Sequence, residues 1–296
     1  MVGSLAHLLG ESIDYAGTFP PASLGLGESF ERFERYISGP DDWIVSRFSC
    51  ASSDLGELSR LASRVDPTLF IPVAVVGGAP ADRAEWEAKL GQDAIAMNRF
   101  DEGTPDHVEI ASYEIRIPEE VAIESYLKDL RGFSEVDVFV EIPLSDNLER
   151  TLAVLAETEW AYAKARIGSD TPPDPALVSR FISECLALEL PFKLTAGMHA
   201  PISANGAYGF INVLGGTALS VSEDLSRREL ETILRDDDRV QWHFDDDSIR
   251  FKGWEAGVDS ILSSRDSLLC FGSCSVEQPL AGLASIGFSL PGEASA

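Results

Sequence analysis

Two lysines stand where a lysine needs a reason to be. Lys164 lies in Trp160-Ala-Tyr-Ala-Lys-Ala-Arg-Ile-Gly168 and Lys193 in Pro191-Phe-Lys-Leu-Thr-Ala-Gly197, short apolar runs that read as strand ends, and the chain holds only five lysines. A buried lysine resists protonation, because desolvation and neighbouring cations both disfavour the ammonium. The neutral amine left behind is a nucleophile toward carbonyl carbon. These residue types in this setting point to Schiff-base chemistry.

The elements that must position them follow from periodicity. Runs rich in Val, Ile, Phe and Tyr alternate with amphipathic stretches, the pattern of βα units around a parallel sheet. Strands are expected at 12–19, 43–50, 69–76, 108–117, 136–143, 160–167, 191–197 and 209–214. Helices are expected at 55–64, 83–96, 119–130, 147–157, 175–188 and 222–235, with start signals in Ser52-Ser-Asp54, Ser145-Asp146 and Pro175. Eight such units predict an α/β fold, a closed (β/α)8 TIM barrel over residues 1–236. Residues 237–296, with a hairpin around Asp245-Asp-Asp247 and a helix at 255–264, read as a C-terminal extension packed on the barrel. It is expected either to cover one barrel end or to make a contact between copies of the chain in a homo-oligomer.

In such a barrel the site lies at the C-terminal ends of the strands. By strand parity, Tyr162, Lys164 and Arg166 share one face, as do Lys193 and Thr195. Strands are about 4.8 Å apart, so one lysine is expected to depress the pKa of the other. Asp14, Tyr15, Arg47, Glu114, Glu141 and His199 complete the candidates. Arg47 and Arg166 with one lysine would make a positive mouth for a carboxylate or phosphate; ion pairs among Arg47, Glu141 and Arg166 are the structural alternative. His199, in Gly197-Met-His-Ala-Pro201, reads as a general acid/base or as an ordinary loop histidine. Asp14, Glu141 and His199 also have the residue types of a metal site, without a ligand spacing to support it. Val76-Gly-Gly-Ala-Pro80 and Leu214-Gly-Gly-Thr-Ala218 follow the third and eighth strands. Asn212, Gly215 and Gly216 there are expected to hold the anion, although tight turns explain such glycines equally well.

Composition narrows the partners. There are 49 acidic against 23 basic residues, net −26, with the few lysines outnumbered by arginine. A surface this acidic repels nucleic acid and anionic membrane, which excludes both as expected partners. Acid excess with few lysines fits life in concentrated salt, and a high-GC genome that writes arginine for lysine fits as well. No apolar run long enough to span a bilayer and no basic segment leading into an apolar one is found, so a cytoplasmic protein is expected. Cys50, Cys185, Cys270 and Cys274 are too few for a disulfide framework, and buried free thiols are the expected state.

The order of the pieces resembles the deoxyribose-phosphate aldolase family of class I, Schiff-base aldolases. Ile13-Asp-Tyr-Ala-Gly-Thr-Phe-Pro-Pro21 is similar to that family's opening Ile-Asp-His-Thr-Leu-Leu-x-Pro, and Val73-Ala-Val-Val-Gly-Gly-Ala-Pro80 to its Val-Gly-Phe-Pro segment. Val138-Phe-Val-Glu-Ile-Pro-Leu144 resembles its Ile-Leu-Glu-Thr strand. Ala163-Lys-Ala-Arg-Ile-Gly168 resembles Lys-Thr-Ser-Thr-Gly, and Phe192-Lys-Leu-Thr-Ala-Gly197 resembles Lys-Ala-Ser-Gly-Gly. The likeness covers about the first 215 residues and lies more in order and spacing than in identity. It implies that Lys164 is the Schiff-base lysine and Lys193 the second lysine that lowers its pKa. The family's proton-shuttling aspartate falls where this chain has Glu109-Ile-Ala-Ser112, so Glu114 or Glu141 is expected in that part. The reading is thus a carbon–carbon lyase of aldolase type on a small anionic oxo or sugar-phosphate-like compound, needing no cofactor. A metal-dependent lyase or isomerase using Asp14, Glu141 and His199, and a barrel that binds or regulates without catalysis, are the alternatives.

Overall fold

A computed structural model describes residues 3–118, 123–168, 171–196 and 198–288. The expected helix start at Glu119 and the strand-ending Gly197 lie outside the described residues. The strands, in chain order, are β1 (Ile13–Tyr15), β2 (Val45–Ala51), β3 (Ile71–Gly78), β4 (Val108–Arg116), β5 (Asp137–Glu141), β6 (Ala161–Arg166), β7 (Phe192–Thr195), β8 (Trp242–Phe244), β9 (Ser248–Phe251), β10 (Trp254–Gly257) and β11 (Leu268–Ser273). Eight of them close in the order β1-β11-β7-β6-β5-β4-β3-β2. Every pairing in the ring is parallel. The fold is a (β/α)8 barrel, with an antiparallel sheet β10-β9-β8 added in its C-terminal part.

Helices form where an apolar stripe and a cap coincide. Asp174 accepts from the Ala176 N–H at 2.9 Å with Pro175 in the first turn, and Ser226 and Glu229 make a reciprocal capping box at the start of Arg227–Arg235. The strands between the helices are apolar on both faces, as in Val138-Phe-Val140, where all three residues are buried.

The eighth strand is not the expected one. Residues 209–214 lie instead in the helix Phe210–Glu223, and the barrel is closed by β11 from the segment read as extension. The run Phe210 to Leu219 is buried throughout, and a continuous apolar run has no period by which helix and strand can be told apart. A Cβ on Gly215 would stand 2.6 Å from the Trp242 ring, and one on Gly216 3.0 Å from Leu230 Cδ1. These glycines admit close packing rather than a turn, so their anion-holding role is corrected. The expected hairpin is present: Asp245 Oδ1 accepts from the N–H groups of Asp247 and Ser248 at 3.0 and 2.8 Å between β8 and β9. The added sheet packs against Phe210–Glu223 and the N-terminal helix Gly3–Leu9, where Gly3 N–H donates to Asp246 Oδ1 at 2.9 Å. Among the described residues no helix is long and apolar enough to cross a membrane.

The substitution Gly215→Ala is expected to cost about 1–3 kcal/mol by overpacking against Trp242. Urea unfolding measures it, and an unchanged midpoint would mean that the indole shifts freely.

Candidate active site

β4, β5, β6 and β7 run parallel in register, with Glu141 opposite Lys164 and Lys164 opposite Lys193. At the C-terminal ends of these strands a pocket of ≈ 450 Å³ opens, with Lys164, Lys193 and Glu114 at its floor. Arg166, Thr195, His199 and Cys274 line it above them. No residue of the added sheet contributes to its lining.

The floor is a chain of alternating charges. Lys193 Nζ is paired with Asp14 Oδ2 and, at 2.5 Å, with Glu114 Oε1. The other oxygen of Glu114 meets Lys164 Nζ at 2.9 Å, and Glu141 Oε2 meets the same ammonium at 3.0 Å. Glu141 Oε1 is 3.6 Å from Arg166 Nε. At the far end Arg47 lies 3.9 Å from Asp14 and 3.1 Å from Asp137. Arg47, Lys193, Lys164 and Arg166 thus alternate with Asp137, Asp14, Glu114 and Glu141, and the chain is neutral when all are ionised. Asp14, Glu114, Glu141, Lys164 and Lys193 are all buried.

These pairings set the protonation states. Burial would raise the Glu114 carboxyl, but Lys193 and Lys164 outweigh it and hold it down to about 2. Burial would likewise lower Lys193, yet Asp14, Cys270 and Glu114 outweigh that and hold it well above the usual ammonium range. Glu141 stays below the usual range despite its burial because Lys164, Arg166 and Arg116 face it. The expected lysine pair is therefore present in register, but with Glu114 interposed it does not meet charge to charge.

Other expected residues separate into two sets. Arg166, Thr195 and His199 line the pocket. Tyr15 does not, since its neighbour Asp14 takes the inward face; the Tyr15 ring packs outside with Phe33, Tyr36 and Phe48. Arg47 is early in β2 and borders a second cavity of ≈ 440 Å³ at the opposite end of the barrel, beside Asp137 and Tyr162. It cannot hold a substrate in the first pocket. Asn212 is structural: its Oδ1 accepts from Ser203 N–H at 2.9 Å and its Nδ2 donates to the carbonyls of Ile233 and Asp236 at 2.7 and 2.9 Å.

Misplacing the last strand hid further residues. Cys270 on β11 donates to Asp14 Oδ2 at 3.1 Å, inside the charge chain. Ser273 and Cys274, at the end of β11, bracket the His199 ring at 3.3 Å from Nδ1 and 3.9 Å from Nε2. The signal for them was the strand-like Leu268-Leu-Cys-Phe run. Burial lowers the pKa of His199 from the ordinary imidazole value, which favours the neutral ring. Among the described residues no three of His, Cys, Asp and Glu are grouped to hold a metal ion. Asp14 and Glu141 are instead engaged by lysines.

A carboxyl held at about 2 against an ordinary 4.5 stabilises the fold above its unfolded pKa and loses that contribution as pH falls through its folded one. Unfolding free energy is therefore expected to drop by about 3 kcal/mol between about pH 4.5 and 2 from Glu114 alone. In Glu114→Gln that component should vanish, with a loss of about 3–5 kcal/mol at neutral pH. Urea titrations across this range check both; an unchanged acid slope would remove Glu114 from the centre of the network. In comparisons with known proteins, no family model, no curated protein and no solved structure matches the chain. What the pocket can do follows from its own residues.

Proposed function

We propose that the protein is a lyase of the Schiff-base type, acting on a small anionic oxo or sugar-phosphate-like compound. The observation that carries the reading is the position of Lys164, a buried amine on the floor of a barrel pocket with a carboxylate at 2.9 and another at 3.0 Å. Attack requires the ammonium to lose a proton, and the two carboxylates are not equivalent in this respect. Glu114 is already shared with Lys193. Glu141 faces Lys164 with one oxygen and the more exposed Arg166 with the other, so it is the group suited to take that proton and return it later.

In this scheme the amine of Lys164 adds to the substrate carbonyl and water leaves, forming an iminium. The iminium accepts the electron pair of the adjacent carbon–carbon bond as that bond breaks, or supplies it in the reverse direction. Lys193 keeps Glu114 ionised and in place, and so acts on Lys164 through a carboxylate. Arg166 would hold the anionic group, with Thr195 and His199 on the same wall. The resemblance to the deoxyribose-phosphate aldolase family supports the same assignment of Lys164. No cofactor enters the scheme.

A second reading is a barrel that binds an anion without turnover. It is favoured by the double ion pair on Lys164, which engages the nitrogen that attack would need free. Borohydride trapping with a panel of small aldehydes, ketones and 2-oxo acids, read by intact mass and peptide mapping, separates the two. The lyase reading expects a substrate-dependent adduct on Lys164, lost in Lys164→Met and also in Lys164→Arg, which keeps the charge. Turnover of the trapped compound should fall in both variants by more than about a thousandfold. Absence of any adduct from the folded protein across the panel leaves the binding reading.

A further inference from the structure

The pocket contains a second potential nucleophile that the lysine chemistry does not use. Cys274 follows β11 directly and His199 stands four residues past the end of β7; these strands are neighbours in the ring, so their exits converge. Both side chains line the pocket. Cys274 Sγ stands 3.9 Å from His199 Nε2, a separation at which a free thiol and its base commonly wait before a ligand draws them together.

The tautomer of His199 follows from its other neighbour. The Ser273 hydroxyl donates its one hydrogen to the Ser275 carbonyl at 2.6 Å. Its oxygen can then only accept from the ring, so Nδ1 carries the hydrogen across the 3.3 Å contact. Nε2 is left with its lone pair directed at the thiol. Serine thus stands where a third group orients the base in a nucleophile–base–orienter arrangement.

The other thiols are excluded by their surroundings. Burial pushes Cys50 up to about 12 and Cys185 well above its ordinary value. Cys270 is pushed up to about 12 by burial and then by Asp14. None of the three borders this pocket.

We propose that Cys274 and His199 form a thiol–imidazole pair that adds covalently to small α,β-unsaturated carbonyl compounds entering the pocket. His199 Nε2 takes the thiol proton, and sulfur forms a bond to the β-carbon. The double-bond pair moves toward the α-carbon and the carbonyl oxygen. Lys164 and Arg166, on the same pocket, provide the positive charge that the developing enolate oxygen calls for. The α-carbon then takes the proton back from His199, and the sum is addition of S–H across C=C with no oxidant and no leaving group. This step is independent of imine formation at Lys164.

Acrylamide tests it, because an amide forms no imine with Lys164 and its failure would leave the Schiff-base reading untouched. Intact, folded protein is exposed to limiting acrylamide at neutral pH and mapped by peptide mass against a fully denatured control. The expected result is an adduct on Cys274 well ahead of Cys50, Cys185 and Cys270, absent in Cys274→Ser. In His199→Asn and His199→Gln the rate should fall by about a hundredfold, and in Ser273→Ala by less. The second histidine variant guards against misfolding of the first, with thermal melts confirming the fold of each. Labelling led by another cysteine, no labelling of Cys274 under conditions that alkylate a small reference thiol, or rates within about threefold of wild type in the histidine variants would overturn the proposal.

Discussion

Two lysines placed in register on adjacent strands inside a closed barrel are almost wholly shielded from solvent, and everything around them answers that constraint. Glu114 reaches across from β4 and gives one carboxylate oxygen to each. Asp14 and Glu141 complete the set from the other sides. A pairing of this kind is weak evidence for stability as such, since apolar residues of equal volume often serve a fold as well. Its persistence in the layer just beneath a pocket is better understood as preorganisation: fixed charges whose orientation need not change when a ligand arrives.

The network also divides the barrel into two ends of different character. At the N-terminal end Arg47 is anchored by Asp137 and Asp14 and belongs to the scaffold. At the C-terminal end Arg166 is largely exposed and only loosely held by Glu141, so it is available to a ligand. The chain as a whole carries a formal charge of −26, yet the column that leads into the pocket alternates in sign.

Closure by β11 decides what else the pocket contains. The long connection after β7 carries two helices, the added sheet and a further helix before the chain returns to the ring between β7 and β1. That return places Cys270 against Asp14 and Cys274 against His199. A barrel closed by residues 209–214 would have had neither contact, and the glycines of that run would have faced a ligand instead of Trp242 and Leu230.

The alternation of apolar runs and amphipathic stretches, with parity along each strand, was enough to establish a parallel barrel and to put Lys164, Lys193, Glu114, Glu141 and Asp14 on its inner face. Period two is a local property, and it survives without knowledge of neighbours. The same rule separates Asp14 from Tyr15, although residue type alone had grouped them. Tertiary structure decided what local rules cannot express. Whether a wholly buried run such as Phe210 to Leu219 is helix or strand depends on what covers it, because burial on every side erases the period. Which carboxylate lies between the lysines depends on ring closure, because side chains from β1, β4, β6 and β7 meet only across the barrel interior. A histidine and a cysteine 75 residues apart became neighbours for the same reason: contact across a closed sheet is set by the order of strands in the ring, and that order is not written in any one segment.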